Sequence, residues 1–210
     1  MRYDYAKISV MTLEFTVDPE LTESLREEIL DCWTEVSQAG GAVGFVPPVS
    51  RAEVAPVAEA SLDRVVSGQD RLIVGRVPDG DSVSGAGVGG DSVGGIDDAD
   101  GIQGAAPGRL AALAFVADDQ VGLSAHWRMV KRVMIHPDFQ GSGYGVGLMD
   151  TVAQVGRSMG LEMLSLDCRG GTGVELFYKK CGYLEWGRMP RALRITPDDY
   201  REKICLYLPL

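Results

Sequence analysis

The stretch "HPDFQGSGYGVGLMD", residues 136–150, places four glycines within seven residues. An apolar segment precedes these glycines and a helical pattern follows them. Because glycine has no Cβ, successive backbone N–H groups can turn toward one point. The N-terminus of the helix that follows adds the positive end of its dipole. This combination is typical of a site that binds a pyrophosphate.

Two common phosphate-binding motifs do not fit this loop. A Walker A loop ends in Gly-Lys-Ser/Thr, and the stretch contains no lysine. The dinucleotide fingerprint G-x-G-x-x-G is also missed, because the glycines alternate at 141, 143, 145 and 147. The pattern that remains is Gln140-x-x-Gly143-x-Gly145, between a predicted strand and a predicted helix.

Composition limits the function classes. The chain has 210 residues and a formal net charge of −10, which suits one domain and argues against a nucleic-acid partner. No apolar run reaches the roughly 20 residues of a membrane span, and the N-terminus lacks a signal-peptide core. The four cysteines form no CxxC pair and no metal-ligand spacing with His126 or His136. We therefore expect a cytoplasmic protein with reduced thiols and no metal site.

One segment differs from the rest of the chain. Residues 78–108 contain ten Gly and six Asp and no Lys or Arg. Such a segment buries too little apolar surface to offset the entropy of ordering it. We expect one domain over 1–210 with a flexible insertion at 78–108.

Periodicity and turn residues predict the order β-α-α-β-(insertion)-β-β-α-β-α-β-β, which indicates an α/β fold. Ser50 and Glu53 form a capping-box pattern at the start of the second helix, and Gly182 is expected to end the last one. The predicted helices cover 19–38, 50–66, 143–159 and 172–181. The predicted strands cover 3–15, 70–77, 109–118, 125–135 and 161–168, followed by two closing strands.

The sequence resembles a known family. Gln140-x-x-Gly143-x-Gly145, preceded by "VMIHP", is similar to the signature of the GCN5-related N-acetyltransferases, and "VELFYKKCGY" at 174–183 resembles their tyrosine segment. The resemblance covers about 125–210, is topological over 1–77 and is absent over 78–108. Within the family, residues 167–190 look most like the tabtoxin-resistance-type small-molecule acetyltransferases. The resemblance implies a mixed, mostly antiparallel central sheet of about seven strands, flanked by helices.

The same resemblance implies acetyl-CoA as cofactor. The loop amides would hold its pyrophosphate, and Gln140 would shape the loop. The main chain of Val133 and Ile135 would pair with the pantetheine arm, and the Val133 amide would polarise the acetyl carbonyl. The cofactor-binding residues so implied are Val133, Met134, Ile135, Gln140, Gly141, Ser142, Gly143, Tyr144 and Gly145.

The resemblance assigns the general acid to Tyr178. A phenol, with a pKa of about 10, is protonated at neutral pH and can donate to the departing thiolate. The alternative is that Tyr178 only packs between helix and sheet. His136 is interpreted as a turn residue.

The general base is not assigned by the resemblance. Family members with a base place it at positions that match Met129 and Lys131. Methionine accepts no proton, and lysine does so only with a strongly lowered pKa. His126, Asp167 and Glu202 are the other candidates, and an amine that is already neutral needs no base.

The sequence thus predicts an N-acetyltransferase that moves an acetyl group to a primary amine of a small molecule, by direct attack in a ternary complex. A non-catalytic CoA-binding sensor or structural domain of the same fold is the alternative. A nucleic-acid or membrane partner is not expected, and a homodimer stays open.

Overall fold

The central feature of the fold is one seven-stranded sheet, seen in a computed structural model that describes residues 13–78, 108–119 and 122–210. The strand order is β1-β2-β3-β4-β5-β7-β6, and each neighbouring pair is antiparallel except β4 and β5. The strands are β1 Glu14–Val17, β2 Arg71–Val77, β3 Arg109–Ala117, β4 Trp127–Ile135, β5 Met163–Arg169, β6 Leu184–Arg194 and β7 Tyr200–Pro209. The helices are α1 Glu23–Gln38, α2 Arg51–Val66, α3 Tyr144–Ser158 and α4 Val174–Lys180. The predicted fold class and element order are confirmed.

The ends of the elements follow local signals. The α1 helix starts four residues later than predicted, because Thr22 is the residue that caps it: the Leu25 N–H donates to the Thr22 hydroxyl at 3.3 Å. At α2 the Ser50 N–H donates to the Glu53 carboxylate at 2.8 Å, as the capping-box pattern predicts. Most of the predicted strand 3–15 lies outside the described residues, and β1 begins at Glu14.

Helices cover both faces of the sheet and create two apolar cores. On one face, α1 and α2 pack through Ile29, Trp33 and Leu62, all fully buried. On the other face, α3 and α4 pack around Leu148 and Tyr178. Because both faces are covered, β3 is buried from Leu110 to Ala117, which explains its nearly continuous apolar sequence.

The predicted insertion at 78–108 lies almost wholly outside the described residues, but its two ends are described. Val77 of β2 and Arg109 of β3 are register partners in neighbouring strands. The Gly108 backbone is so close that a Cβ there would lie 1.8 Å from the Val77 carbonyl oxygen. The chain therefore leaves and re-enters the sheet at one place, where a short hairpin loop would join the strands.

We expect that replacing 79–107 with a short Gly-Ser link shifts the melting temperature by only a few degrees, because loop closure costs about 0.6 kcal/mol per doubling of loop length. Differential scanning calorimetry of the shortened and full chains measures the shift. A large loss of stability would show that the segment packs on the domain.

Candidate active site

A cleft opens where two neighbouring strands diverge. The parallel pairing of β4 and β5 covers only Trp127–Met129 and Met163–Ser165. Beyond these residues the strands separate, and a cavity of about 920 Å³ lies between them. The strand edges that face this cavity lack a neighbouring strand, so their backbone groups are available to a ligand.

A bulge in β4 shapes one wall of the cleft. The register with β3 pairs Leu113 with Met134 and Phe115 with Lys131, so two residues of β4 oppose one of β3. Arg132 lies in the bulge with a φ of +53°, a conformation that non-glycine residues adopt only when the surroundings hold it.

The backbone of β4 presents alternate residues to the cleft. The His136 N–H donates to the Ala111 carbonyl on β3 at 2.9 Å. Alternation along the strand directs the backbone groups of Val133 and Ile135 to the opposite edge, which is the cleft side. The Gln140 side-chain amide donates to the Ile135 carbonyl at 3.1 Å and ties the glycine loop to this edge.

The glycine loop lies where β4 leads into α3. Gly141 and Gly143 have φ values of +81° and +84°, which explains why glycine stands at both positions. A Cβ at either would meet nothing within 4 Å. Within the described residues, no group accepts a hydrogen bond from the N–H of Gly141, Ser142 or Gly143. These amides at the start of a helix form an anion-binding arrangement that fits a pyrophosphate.

The structure brings most of the predicted site residues to the cleft. Two side chains do not line it: Met134 is buried in the core on the α1 face, and Ser142 is exposed within the glycine loop. Met134 and Ser142 could therefore contact a cofactor only through their backbone N–H and C=O groups. The predicted residues that line the cleft are Val133, Ile135, Gln140, Gly141, Gly143, Tyr144, Gly145 and Tyr178.

Tyr178 lies on α4 and reaches the cleft from the face of the sheet that α3 covers. It is 8% exposed and packs edge-on against the Tyr183 ring at 5.9 Å. Burial raises the pKa of the Tyr178 phenol above its ordinary value, and the nearby Cys168 adds to the shift. The phenol is therefore protonated throughout the physiological pH range.

The cleft narrows the choice of general base. His126 and Glu202 do not line it, and Glu202 pairs with Arg188 at 2.6 Å. Lys131 does line it, but its ammonium group forms an ion pair with Asp119. Asp167 of β5 lines the cleft with a partly exposed carboxylate, 3.4 Å from the Lys203 ammonium.

His136 contributes to the turn, as the sequence predicts. Its Nδ1 accepts a hydrogen bond from the Asp138 N–H at 3.2 Å, and its Nε2 lies 2.9 Å from the Glu35 carboxylate. The imidazole thus joins the end of β4 to α1 and does not line the cleft.

Sequence reasoning missed the part of the cleft that α1 and the segment after it provide. Val36, Gly41, Ala42 and Val43 line it beside Arg132. The segment "GGAVGFVPP" carries glycine and proline as loop residues usually do, and nothing in its pattern indicates contact with β4. Arg132 lines the cleft because it lies in the β4 bulge. No pattern in a single sequence indicates that bulge, so Arg132 could not be predicted as a site residue.

Two further properties concern the described part of the chain. No group of three or more His, Cys, Asp or Glu residues there is arranged to hold a metal ion. Among the helices of that part, none combines the length and the apolar character needed to cross a membrane.

Residues 106–185 match a protein-family model described as an acetyltransferase (GNAT) domain. Among solved structures, a putative acetyltransferase from Acinetobacter baylyi has a TM-score of 0.66 and 15% identity, over 95% of this chain and 93% of that one. YncA, a putative acetyltransferase from Salmonella typhimurium solved with its cofactor acetyl-CoA, has a TM-score of 0.62 and 13% identity, over 95% and 94%. A chimaera of the spermidine N-acetyltransferase SpeG from Vibrio cholerae and hSSAT has a TM-score of 0.63 and 14% identity, over 93% and 95%. At these identities the solved structures show a shared fold.

Proposed function

We propose that the chain is an N-acetyltransferase that uses acetyl-CoA and that it acetylates the primary amine of a small molecule. The match of residues 106–185 to an acetyltransferase (GNAT) domain, and the fold shared with an acetyltransferase solved with acetyl-CoA, support this proposal. The single observation that carries this proposal is the cleft. It brings the glycine loop, the unpaired edge of β4 and the Tyr178 side chain into one cavity. A carbonyl-polarising amide, a proton donor and a pyrophosphate site are the parts that this transfer needs.

Each part has a role that follows from its chemistry. When bound, acetyl-CoA supplies a thioester whose carbonyl carbon accepts the amine and whose sulfur leaves as the thiol. The Val133 N–H would donate to the carbonyl oxygen as negative charge develops there. The Tyr178 hydroxyl would donate its proton to the sulfur as the carbon–sulfur bond breaks. The amine loses one proton to solvent and the phenol takes one proton back from solvent, so the balance closes with an amide and a thiol.

The amine proton needs an acceptor, and the described lining of the cleft contains one carboxylate. Asp167 is the candidate that lines the cavity without a tight ion pair. Its carboxylate is partly exposed, so a proton that it accepts can pass through water to solvent. We propose Asp167 in this role, for an amine that reaches the site in its neutral form.

Direct attack is favoured over an acetyl-enzyme because, among the described residues, the cleft lacks an activated nucleophile. Cys168 is the cysteine that lines it, and burial raises the pKa of its thiol to about 12. A thiol with such a pKa is almost entirely protonated at neutral pH, and the thiolate is the nucleophilic form.

We expect Cys168→Ser to keep the wild-type turnover, because the amine attacks the thioester itself. Mass spectrometry of the intact protein after mixing with acetyl-CoA alone should show no acetylated species. Acetylation of the wild type that is lost in Cys168→Ser would overturn direct attack.

The raised pKa of Tyr178 leads to a pH prediction. Because burial raises this pKa above its ordinary value of about 10, the phenol does not lose its proton in the working range. The value of kcat/KM should therefore rise with pH as the acceptor amine becomes neutral and then level off. Steady-state rates between pH 6 and 9.5 test this, and a descending limb below pH 9 in a protein that stays folded would contradict it.

The small-molecule acceptor is supported by the form of the site. The residues after α1 that line the cleft extend it beyond the strand edges, and the resemblance of 167–190 to the tabtoxin-resistance-type enzymes agrees with a small acceptor. Incubation of the protein with acetyl-CoA and a panel of small primary amines should release CoA thiol steadily. Acetyl-CoA binding without release for any amine would favour the alternative, a CoA-binding sensor or structural domain.

A further inference from the structure

Arg132 is the residue of the cleft that the proposed transfer does not use. It lies in the β4 bulge, next to Val133, with its half-buried side chain on the α1 face of the sheet. Its guanidinium carbon lies 5.1 Å from the centre of the Trp33 ring. The backbone of Gly44 comes so close that a Cβ there would lie 2.6 Å from Nη1.

The cations of β4 differ in their partners. Arg128 pairs with Asp118 at 2.9 Å, and Lys131 pairs with Asp119. In the parts of the chain that the structure describes, no carboxylate or carbonyl oxygen accepts a hydrogen bond from the Arg132 guanidinium. Arg132 is thus a cation held by packing in the wall of a cavity, with no carboxylate hydrogen-bonded to it among the described residues.

An unpaired, partly buried charge is unfavourable, and arginine cannot relieve it by losing its proton. Burial acts to lower the pKa of Arg132, and Asp167 across the cleft opposes this effect. An anion that enters the cleft would replace the water that the guanidinium has lost. The planar fork of donors matches a carboxylate, with which it forms two parallel hydrogen bonds.

The position of Arg132 along β4 indicates which substrate brings the anion. The glycine loop lies at the far end of β4 beside α3, whereas Arg132 is on the α1 face with Val36 and Val43. The next residue, Val133, provides the amide assigned to the acetyl carbonyl. An anion on Arg132 would therefore belong to the acceptor and lie only a few bonds from its amine.

We infer, resting on the proposed function, that the acceptor is an amine that also carries a carboxylate, an amino-acid-like zwitterion, and that Arg132 binds this carboxylate. Asp167 supplies the opposite charge in the same cleft. The two side chains lie on neighbouring strands that have separated, β4 and β5, which leaves room for a molecule between them.

The first experiment compares free amino acids with the corresponding amino acid amides, and kcat/KM is expressed per neutral amine because the amide lowers the pKa of the neighbouring amine. In the wild type we expect kcat/KM to be at least tenfold higher for the acids. Arg132→Gln should remove this preference, mainly by raising KM for the acids, and Arg132→Lys should restore part of it because it keeps the charge and loses the fork.

Arg191→Gln is the matched control. Arg191 also has a positive φ, +55°, and also lies over an aromatic ring, 4.0 Å from the centre of Tyr200, but it is outside the cleft. The Arg191→Gln variant should keep the wild-type preference for acids over amides. All variants should bind acetyl-CoA with the wild-type affinity in calorimetry. Equal kcat/KM for acids and amides in the wild type would overturn the inference. It would also be overturned if Arg132→Gln and Arg132→Lys each lowered kcat/KM for acids and for amides by the same factor.

The second experiment needs no turnover. Calorimetry with CoA present measures the binding of N-acetyl amino acids and of their amides, which are the products of the two reactions. We expect the acids to bind at least tenfold more tightly than the amides, and Arg132→Gln to abolish the difference. Equal binding, or none, overturns the inference. If the inference fails but amines without a carboxylate are still acetylated, the proposed function stands. If no amine is acetylated, the inference and the proposed function both fail.

Discussion

Tyr178→Phe should lower kcat by about 10²–10⁴-fold, the usual contribution of a general acid. The substitution keeps the ring that packs against Tyr183 and the α3 face of the sheet, and it removes only the proton donor. Acetyl-CoA affinity and the melting temperature should therefore change little. Steady-state kinetics with an accepted amine, calorimetry with acetyl-CoA and thermal unfolding measure the three quantities.

Tyr183→Phe is the control for this prediction. Tyr183 is 1% exposed, adjoins Tyr178 and does not line the cleft. Its buried hydroxyl has no hydrogen-bond partner among the described residues, so its removal costs little stability. We expect Tyr183→Phe to keep the wild-type kcat. Full activity of Tyr178→Phe would rule out the acid role, and joint loss of folding and activity would support the packing alternative.

Ser142→Glu should weaken acetyl-CoA binding at least tenfold, about 1.4 kcal/mol. Ser142 is exposed at the centre of the glycine loop, where the neighbouring amides face the predicted pyrophosphate. A carboxylate there would compete for these amides and repel the phosphates. Calorimetric titration of the folded variant gives the change in Kd.

Ser142→Gln separates charge from size, because it adds a side chain of nearly the same shape without the charge. It should bind acetyl-CoA with an affinity much closer to that of the wild type. The glycines are less suitable for this test. A side chain at Gly143 is strained by its φ of +84°, and a Cβ at Gly145 would lie 3.0 Å from the Phe177 ring. An unchanged Kd in Ser142→Glu would refute the loop assignment.

Much of the fold could be predicted because its signals are local. Ser50 and Glu53 indicate the start of a helix because their capping-box hydrogen bonds form within one turn of the chain. Gly182, with a φ of +88°, follows the end of α4 as the sequence predicts. The glycine loop is equally local, since its backbone requirements come from consecutive residues.

The acceptor side of the cleft could not be predicted, because it depends on tertiary contacts. Arg132 is unpaired while Lys131 is paired, and the difference comes from a bulge in the register with β3. The sequence leaves both Lys131 and Asp167 as candidates for the base. The ion pair of Lys131 with Asp119 is a tertiary contact that no sequence pattern indicates.

The acetyl transfer from acetyl-CoA to an amine can be measured directly. The protein is mixed with acetyl-CoA labelled in its acetyl group and with a primary amine that gives thiol release. The amide product and the free thiol are then quantified together by mass spectrometry. We expect one labelled amide for each thiol released, with no label on the protein. Thiol release without labelled amide, or binding of acetyl-CoA without release for every amine tested, would contradict this expectation.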